Sequence, residues 1–87
     1  MSYDYLAERP KLFTEDGQVM FLKIRDNTKR LLTQAGAVRC QEATSGTAGD
    51  SWMMLACVDR LVELGELREI TRDQGVAGQH RVFVAAT

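Results

Sequence analysis

Length, composition and charge are those of one small globular domain. The chain has 87 residues, 45% of them hydrophobic and 26% charged, and its formal net charge is −1. These values are ordinary for a globular protein, and they lack the strongly basic character of many nucleic-acid-binding domains. A chain of this length buries only about 60–65% of its unfolded surface, so self-association would help to stabilise it.

Membrane and secretion signals are missing from the sequence. The longest uninterrupted apolar run covers residues 52–58, which is far shorter than the ~20 residues of a membrane-spanning helix. The first residues, MSYDYLAERPK, contain no apolar signal core. We therefore expect a cytoplasmic protein with no membrane partner.

The residue inventory argues against an enzyme and against a metal site. Cys40 and Cys57 have no CxxC spacing, and His80 is the only histidine, so one chain cannot easily supply the four ligands of a structural zinc site. The serines have no GxSxG context, and His80 falls on a predicted strand. We predict no catalytic residue, no metal and no cofactor, and we expect both cysteines to be reduced and buried.

The chain begins with an arm, residues 1–16. The arm carries Tyr3, Tyr5 and Phe13, while Pro10 interrupts any long helix. Two interpretations remain open: the arm packs onto the domain, or its tyrosines contact a second copy of the chain.

A helix is predicted over residues 18–35, because apolar residues recur there at three- and four-residue intervals and Gly36 follows. Val19 and Leu22 fall outside the apolar stripe and are expected to meet the arm or a partner. Residues 37–43 are compatible with either a short helix or a short strand. Residues 44–49, TSGTAG, form a flexible turn.

The second long helix is predicted over residues 50–64, with Asp50 or Ser51 as its N-cap and Gly65 after its end. Strands are then predicted at 66–71 and 79–85, on either side of a glycine-containing loop at 72–78. The core stripe of this helix is expected to contain Met54, Leu55, Val58, Leu61 and Val62.

This arrangement of a helix, Gly65 and two strands resembles the winged-helix family of helix-turn-helix domains. The matching residues are Val58, the run from Arg60 to Ile70 and the returning strand at 81–84. The resemblance implies a single α+β winged-helix-like domain, with the helix at 50–64 as recognition helix and the loop at 72–78 as wing. Winged-helix domains include both DNA readers and protein-binding modules.

Two functions are compatible with this resemblance. The helix at 50–64 with its cap has three acids and one base, which disfavours contact with a polyanion. We therefore predict a regulatory or adaptor domain that contacts a protein partner or forms a homodimer; a DNA-binding transcriptional regulator is the alternative. The protein-contact candidates, on an exposed face that also includes Ala56, are Trp52, Met53, Asp59, Arg60 and Glu63. For Trp52 a second interpretation stays open, in which it packs against the arm or the wing.

The nucleic-acid candidates are basic residues on several elements, which would contact phosphates of DNA. They are Lys23, Arg30, Arg39, Arg72 and Arg81. No small-molecule ligand is predicted. The segment TSGTAGDS lacks the GK[ST] ending of a phosphate-binding loop, and Asp50 would repel a phosphate there.

Overall fold

A computed structural model describes residues 3–71 and 80–86. In these residues the chain forms a small α+β domain, as the sequence predicts, with helices packed on a three-stranded antiparallel sheet. The helical elements are α1 (Tyr5–Glu8), a 3₁₀ helix (Arg9–Phe13), α2 (Glu15–Ala35), α3 (Cys40–Ala43) and α4 (Ser51–Glu63). The strands are β1 (Val38–Arg39), β2 (Leu67–Glu69) and β3 (Val82–Ala85).

The helix α2 is the longest element, and its ends follow from local chemistry. The Thr14 hydroxyl accepts a hydrogen bond from the Gly17 amide at 3.1 Å, which satisfies one of the free donors of the first turn. Gly36 ends the helix with φ of 78°, a left-handed conformation that glycine adopts without strain. The helix begins three residues earlier than position 18, where we predicted its start, because Thr14 is the cap.

Residues 37–43 contain both of the elements between which the sequence did not decide. Val38 and Arg39 form β1, and Cys40–Ala43 form the single turn α3. The Arg39 amide donates to the Glu42 carboxylate at 2.9 Å. This hydrogen bond caps the N-terminus of α3 at the residue where β1 ends.

The sheet has the order β1-β3-β2, which places β3 in the centre. Phe83 faces Val38 on one side and Glu69 on the other. The predicted hairpin is present with shorter strands than expected. The predicted loop at 72–78, and Gln79 after it, lie outside the described residues.

The core lies between α2, α4 and the sheet, and Phe83 at its centre is 0% exposed. On α4, Val58 and Leu61 are buried as predicted. Ala56, which we placed on the exposed face, is instead 0% exposed. Ala56 shares a helical face with Asp59 and Glu63 by its spacing, and the arm packs on α4 with Tyr3 and Tyr5 bonded to those two carboxylates.

The arm folds onto the domain, in agreement with the first of its two interpretations. The helix α1 and the 3₁₀ helix both contact α4, and the 3₁₀ helix also contacts α2. Leu12 is only 4% exposed. Gly17 lets α2 approach the arm closely, because a Cβ atom at this position would lie 2.1 Å from the Lys11 carbonyl oxygen and 2.7 Å from the Leu12 Cα.

Replacing Gly17 with alanine tests this close approach. In a helix, alanine normally stabilises relative to glycine by about 0.5–1 kcal/mol. Here the added methyl group would collide with backbone atoms, so we expect a net loss of about 1–3 kcal/mol or more. Urea denaturation would measure it.

The neighbouring substitution Gln18→Ala is the control, because Gln18 is exposed and such changes alter stability by about 0.5 kcal/mol or less. A Gly17→Ala protein at least as stable as the wild type would contradict the packing of the arm on α2.

Candidate protein-interaction site

The first turns of α4 follow the loop at 44–50 and begin at a defined cap. The Asp50 carboxylate accepts a hydrogen bond from the Trp52 amide at 2.9 Å. Gly46 and Gly49 in the preceding loop have φ values of 80° and 133°, which residues with side chains rarely adopt. The cap and these glycines set the direction in which α4 leaves the loop.

Four consecutive apolar residues occupy these first turns. Residues 52–55 are all half-buried. Because consecutive residues on a helix point about 100° apart, these side chains lie on several sides of the helix, and Met53, Met54 and Leu55 also pack against the core. We call these four residues the α4 start; they are Trp52, Met53, Met54 and Leu55.

A groove lies on each of two sides of the α4 start. The first groove, toward α3, has a volume of about 300 Å³ and is lined by Trp52, Met54 and Leu55 together with Cys40, Gln41, Thr44 and Ser51. Trp52 is therefore half-buried beside α3.

The second groove, toward α2, is larger, with a volume of about 490 Å³. Met53 lies on its α4 side, and Val19 and Met20 lie on its α2 side. Val19 is 53% exposed, which explains why it falls outside the core stripe of α2. The charged residues of this groove are Asp16, Lys23 and Asp50.

The second half of α4 differs from its start, because the arm and the sheet engage its charged side chains. Asp59 accepts a hydrogen bond from the Tyr3 hydroxyl at 2.6 Å and one from the Arg81 guanidinium at 2.8 Å. Arg81 also donates to Glu69 at 2.8 Å. These two carboxylates raise the pKa of Arg81, and burial together with Asp59 raises the pKa of Tyr3.

Glu63, one helical turn further on, is the centre of a second cluster. Its carboxylate accepts hydrogen bonds from the Tyr5 hydroxyl at 2.8 Å, from Arg9 at 2.9 Å and from Arg60. The Arg9 and Arg60 guanidiniums also lie 5.0 and 5.3 Å from the centre of the Phe13 ring, within the range of a cation–π contact. These donors, Arg9 first, lower the pKa of Glu63 to about 2.

The five protein-contact candidates are thus divided between two environments. Trp52 and Met53 belong to the α4 start and line the two grooves. Asp59, Arg60 and Glu63 are engaged with the arm or the sheet. A single acidic and aromatic face along α4, as the sequence suggested, is not what the structure contains, because the arm occupies the second half of that face.

The nucleic-acid candidates are spread over the domain. Lys23 lines the groove toward α2, Arg30 donates to Asn27, and Arg39 is exposed on β1. Arg81 is held by Asp59 and Glu69. Arg72 lies outside the described residues.

The two cysteines are buried and reduced. Burial raises the pKa of Cys40 to about 11 and that of Cys57 to about 12, so both are thiols at neutral pH and are poor nucleophiles. Over residues 3–71 and 80–86, no cluster of histidine, cysteine and carboxylate side chains could hold a metal ion. In the same residues, no helix is long and apolar enough to cross a membrane.

Comparison with known proteins gives no relative: no family model, curated protein or solved structure matches this chain. The site must therefore be interpreted from its own residues.

Sequence reasoning missed the pairing of the arm with α4. The signal in the sequence was a possible match between two pairs of residues. Tyr3 and Tyr5 lie two residues apart in the arm, and the carboxylates of Asp59 and Glu63 lie one turn apart on α4. Both tyrosines bond to these carboxylates in the same order. Single hydroxyl–carboxylate pairs across more than fifty residues leave no local pattern, so this contact could not be assigned without the fold.

The Glu63 cluster predicts an acid-dependent stability. The pKa of Glu63 is about 2 in the folded chain and 4.5 for an unperturbed glutamate. Because the folded value is the lower one, the carboxylate stabilises the fold above the unfolded pKa, and this contribution is lost as the pH falls from 4.5 toward 2. In Glu63→Gln the free energy of unfolding should be lower at pH 7 and should fall less over this range.

Urea denaturation at several pH values would measure both effects. Glu15→Gln is a matched control, because Glu15 is exposed and has no ion pair within the described residues. A Glu63→Gln profile that runs parallel to the wild-type profile would show that the arm does not hold Glu63 in its charged form.

Proposed function

We propose that the chain is a winged-helix-type domain. In support of this proposal, α4 is followed by Gly65 and by the antiparallel strands β2 and β3, which are the elements on which the sequence resemblance rests. In this assignment α4 corresponds to the recognition helix. Two features depart from the pattern: α3 is a single turn, and the arm precedes the first long helix.

We propose further that the domain is a non-enzymatic regulator or adaptor that acts through contact with a protein. The observation that carries this proposal is the α4 start, four half-buried apolar residues between two grooves. Tryptophan and methionine are enriched in protein interfaces, and buried aromatic side chains supply much of their affinity. Trp52 is the expected anchor, and Val19 across the larger groove extends the apolar surface.

Charge argues for a protein partner over DNA at this helix. A DNA-reading helix presents arginine, lysine, asparagine or glutamine to base edges near its start, whereas the first residues of α4 are Ser51, Trp52 and Met53. Its one basic residue, Arg60, lies near its other end and contacts Glu63 and Phe13. Arg81 would have to leave Asp59 and Glu69 in order to meet a phosphate, and breaking such pairs is costly.

A second copy of the chain is the simplest partner. A small domain gains relatively more from association than a large one, because it buries less of its own surface. A dimer would cover Trp52 and Val19, which a monomer leaves in contact with water. Its members would meet through the same surface, as in most homodimers.

The test is self-association measured by sedimentation equilibrium over a range of protein concentrations. We expect a reversible dimer, and we expect Trp52→Ala to raise its dissociation constant by about tenfold or more, since truncating an aromatic anchor typically costs ~2 kcal/mol or more. Leu6→Ala is the matched control: Leu6 is 75% exposed and apolar but lies on α1. Thermal unfolding would verify that both variants remain folded.

Titration with random duplex DNA at about 50 and 200 mM salt separates the two functions, because phosphate-driven binding weakens steeply over this range. A monomeric wild-type protein that binds DNA and loses it at the higher salt would overturn the protein-contact proposal. That outcome would favour the DNA-binding regulator instead. Equal dimerisation of the wild type and Trp52→Ala would show that the α4 start is not the interface.

A further inference from the structure

The groove between α2 and the α4 start contains two charges that the rest of the domain does not balance. Asp16 and Lys23 both line this groove and are exposed. Neither forms an ion pair among residues 3–71 and 80–86. Asp50, the third charged residue of the groove, differs from them, because its carboxylate caps α4 at the Trp52 amide. One acid and one base on α2 are therefore left for another molecule.

The spacing of these two residues places them on one side of α2. They are seven residues apart, which is about two helical turns or roughly 10 Å along the axis. Side chains on one helix meet at separations of three or four residues, so Asp16 and Lys23 do not pair with each other. Val19 lies between them in the same groove and is 53% exposed. This side of α2 presents an acid, an apolar residue and a base, in that order.

The order of these residues is complementary to itself when it is reversed. A two-fold axis that crosses α2 between Val19 and Met20 would place the same helix of a second copy antiparallel to the first. Asp16 of each copy would then face Lys23 of the other, and Val19 of each would face Met20 of the other. In an isologous interface every such contact occurs twice, so one pair of residues supplies two ion pairs.

We propose that two copies of the chain meet through α2 in this antiparallel arrangement, with Asp16 and Lys23 paired on both sides of Val19. The inference rests on the proposed function, in which a second copy is the partner, and it names the contacts that hold that copy. Met53 of the α4 start forms the other wall of the groove, so the α4 start borders this interface. A helix with its side chains is about 10–12 Å across, so a groove of about 490 Å³ takes side chains of the partner helix rather than the helix itself.

Charge favours this register over others. Sliding one helix by three residues would place Asp16 opposite Asp26 of the other copy, and sliding it by seven would place the two Lys23 side chains opposite each other. Like charges that face each other across an interface are costly. A slide of ten residues would pair Lys23 with Asp26, but Asp26 already contacts Arg25 at 3.3 Å. The register centred beside Val19 is the one that pairs both unbalanced charges and covers the exposed valine.

Reversal of the charges tests this arrangement. Asp16→Lys and Lys23→Glu would each place two pairs of like charges across the interface, so each should raise the dissociation constant of the dimer about tenfold or more. The double variant Asp16→Lys/Lys23→Glu restores both ion pairs with exchanged signs and should dimerise about as tightly as the wild type. Sedimentation equilibrium at about 50 mM salt, where exposed charges are weakly screened, would measure all three.

Glu15→Lys is the matched control for Asp16→Lys. Glu15 also lies in the first turn of α2 and is exposed, so its reversal has a similar cost in the interaction with the helix dipole. Its side chain points about 100° away from that of Asp16, and it does not line the groove. Glu15→Lys should therefore dimerise like the wild type. Thermal unfolding would verify that every variant is folded.

A mixture of the two single variants tests the same pairing without the double variant. In a heterodimer of Asp16→Lys with Lys23→Glu, both pairs across the interface again join opposite charges. An equimolar mixture should therefore associate about tenfold more tightly than either variant alone.

The possible outcomes separate this inference from the proposed function. A wild-type dimer that is weakened by Trp52→Ala but by neither charge reversal would overturn the α2 arrangement and leave the protein-contact proposal in place. Weakening by both reversals, without recovery in the double variant or in the mixture, would also overturn the pairing. A monomeric wild-type protein would overturn the homodimer itself. Recovery in a dimer that Trp52→Ala does not weaken would support the α2 arrangement and overturn Trp52 as the anchor.

Discussion

The guanidinium of Arg81 is the contact on which the arrangement of the domain depends. Arg81 immediately precedes β3, and its guanidinium joins this point of the chain to Asp59 of α4 and Glu69 of β2. It also lies 5.1 Å from the centre of the Phe83 ring in the core. The Arg81 carbonyl oxygen accepts from the Cys40 amide at 2.9 Å, so the main chain of the same residue holds the junction of β1 and α3.

The charges around Arg81 explain why the arm belongs to the fold. One guanidinium faces two carboxylates, which leaves an excess of acceptor oxygens in a partly buried place. Tyr3 supplies a further donor to Asp59. Charge-assisted hydrogen bonds are shorter and stronger than neutral ones, so this hydroxyl is well suited to the surplus acceptor. The arm is thereby tied to the same cluster that orients α4 against the sheet.

This arrangement gives the two halves of α4 different environments. In its second half, the carboxylates of Asp59 and Glu63 accept hydrogen bonds from other residues of the chain. Among residues 3–71 and 80–86, no polar side chain of the arm hydrogen-bonds to the α4 start, and its half-buried apolar residues line two grooves. The part of the helix that is left for another molecule is therefore apolar, although the helix as a whole carries several charges.

The sequence predicted those features that depend on neighbouring residues. Both long helices, the stop at Gly36 and the hairpin follow from apolar spacing and from glycine at helix ends, and all of them are present. The burial of Ala56 was predicted wrongly, because it depends on the arm, which lies more than forty residues away in the chain. Exposure on a small domain is decided by such distant segments, and helical periodicity contains no information about them.

The same limit applies to charge, and it affects the interpretation of function most. Counted along the sequence, Arg81 and Arg30 are potential phosphate contacts, and Asp59 and Glu63 form an acidic face. In the fold, Arg81 pairs with both Asp59 and Glu69, and Arg9 and Arg60 pair with Glu63, so three cations meet three carboxylates over the two clusters. Much of the charge near α4 is thus balanced within the chain. A partner at this helix would therefore be recognised mainly through apolar contact and shape, which is a property of protein interfaces rather than of DNA backbones.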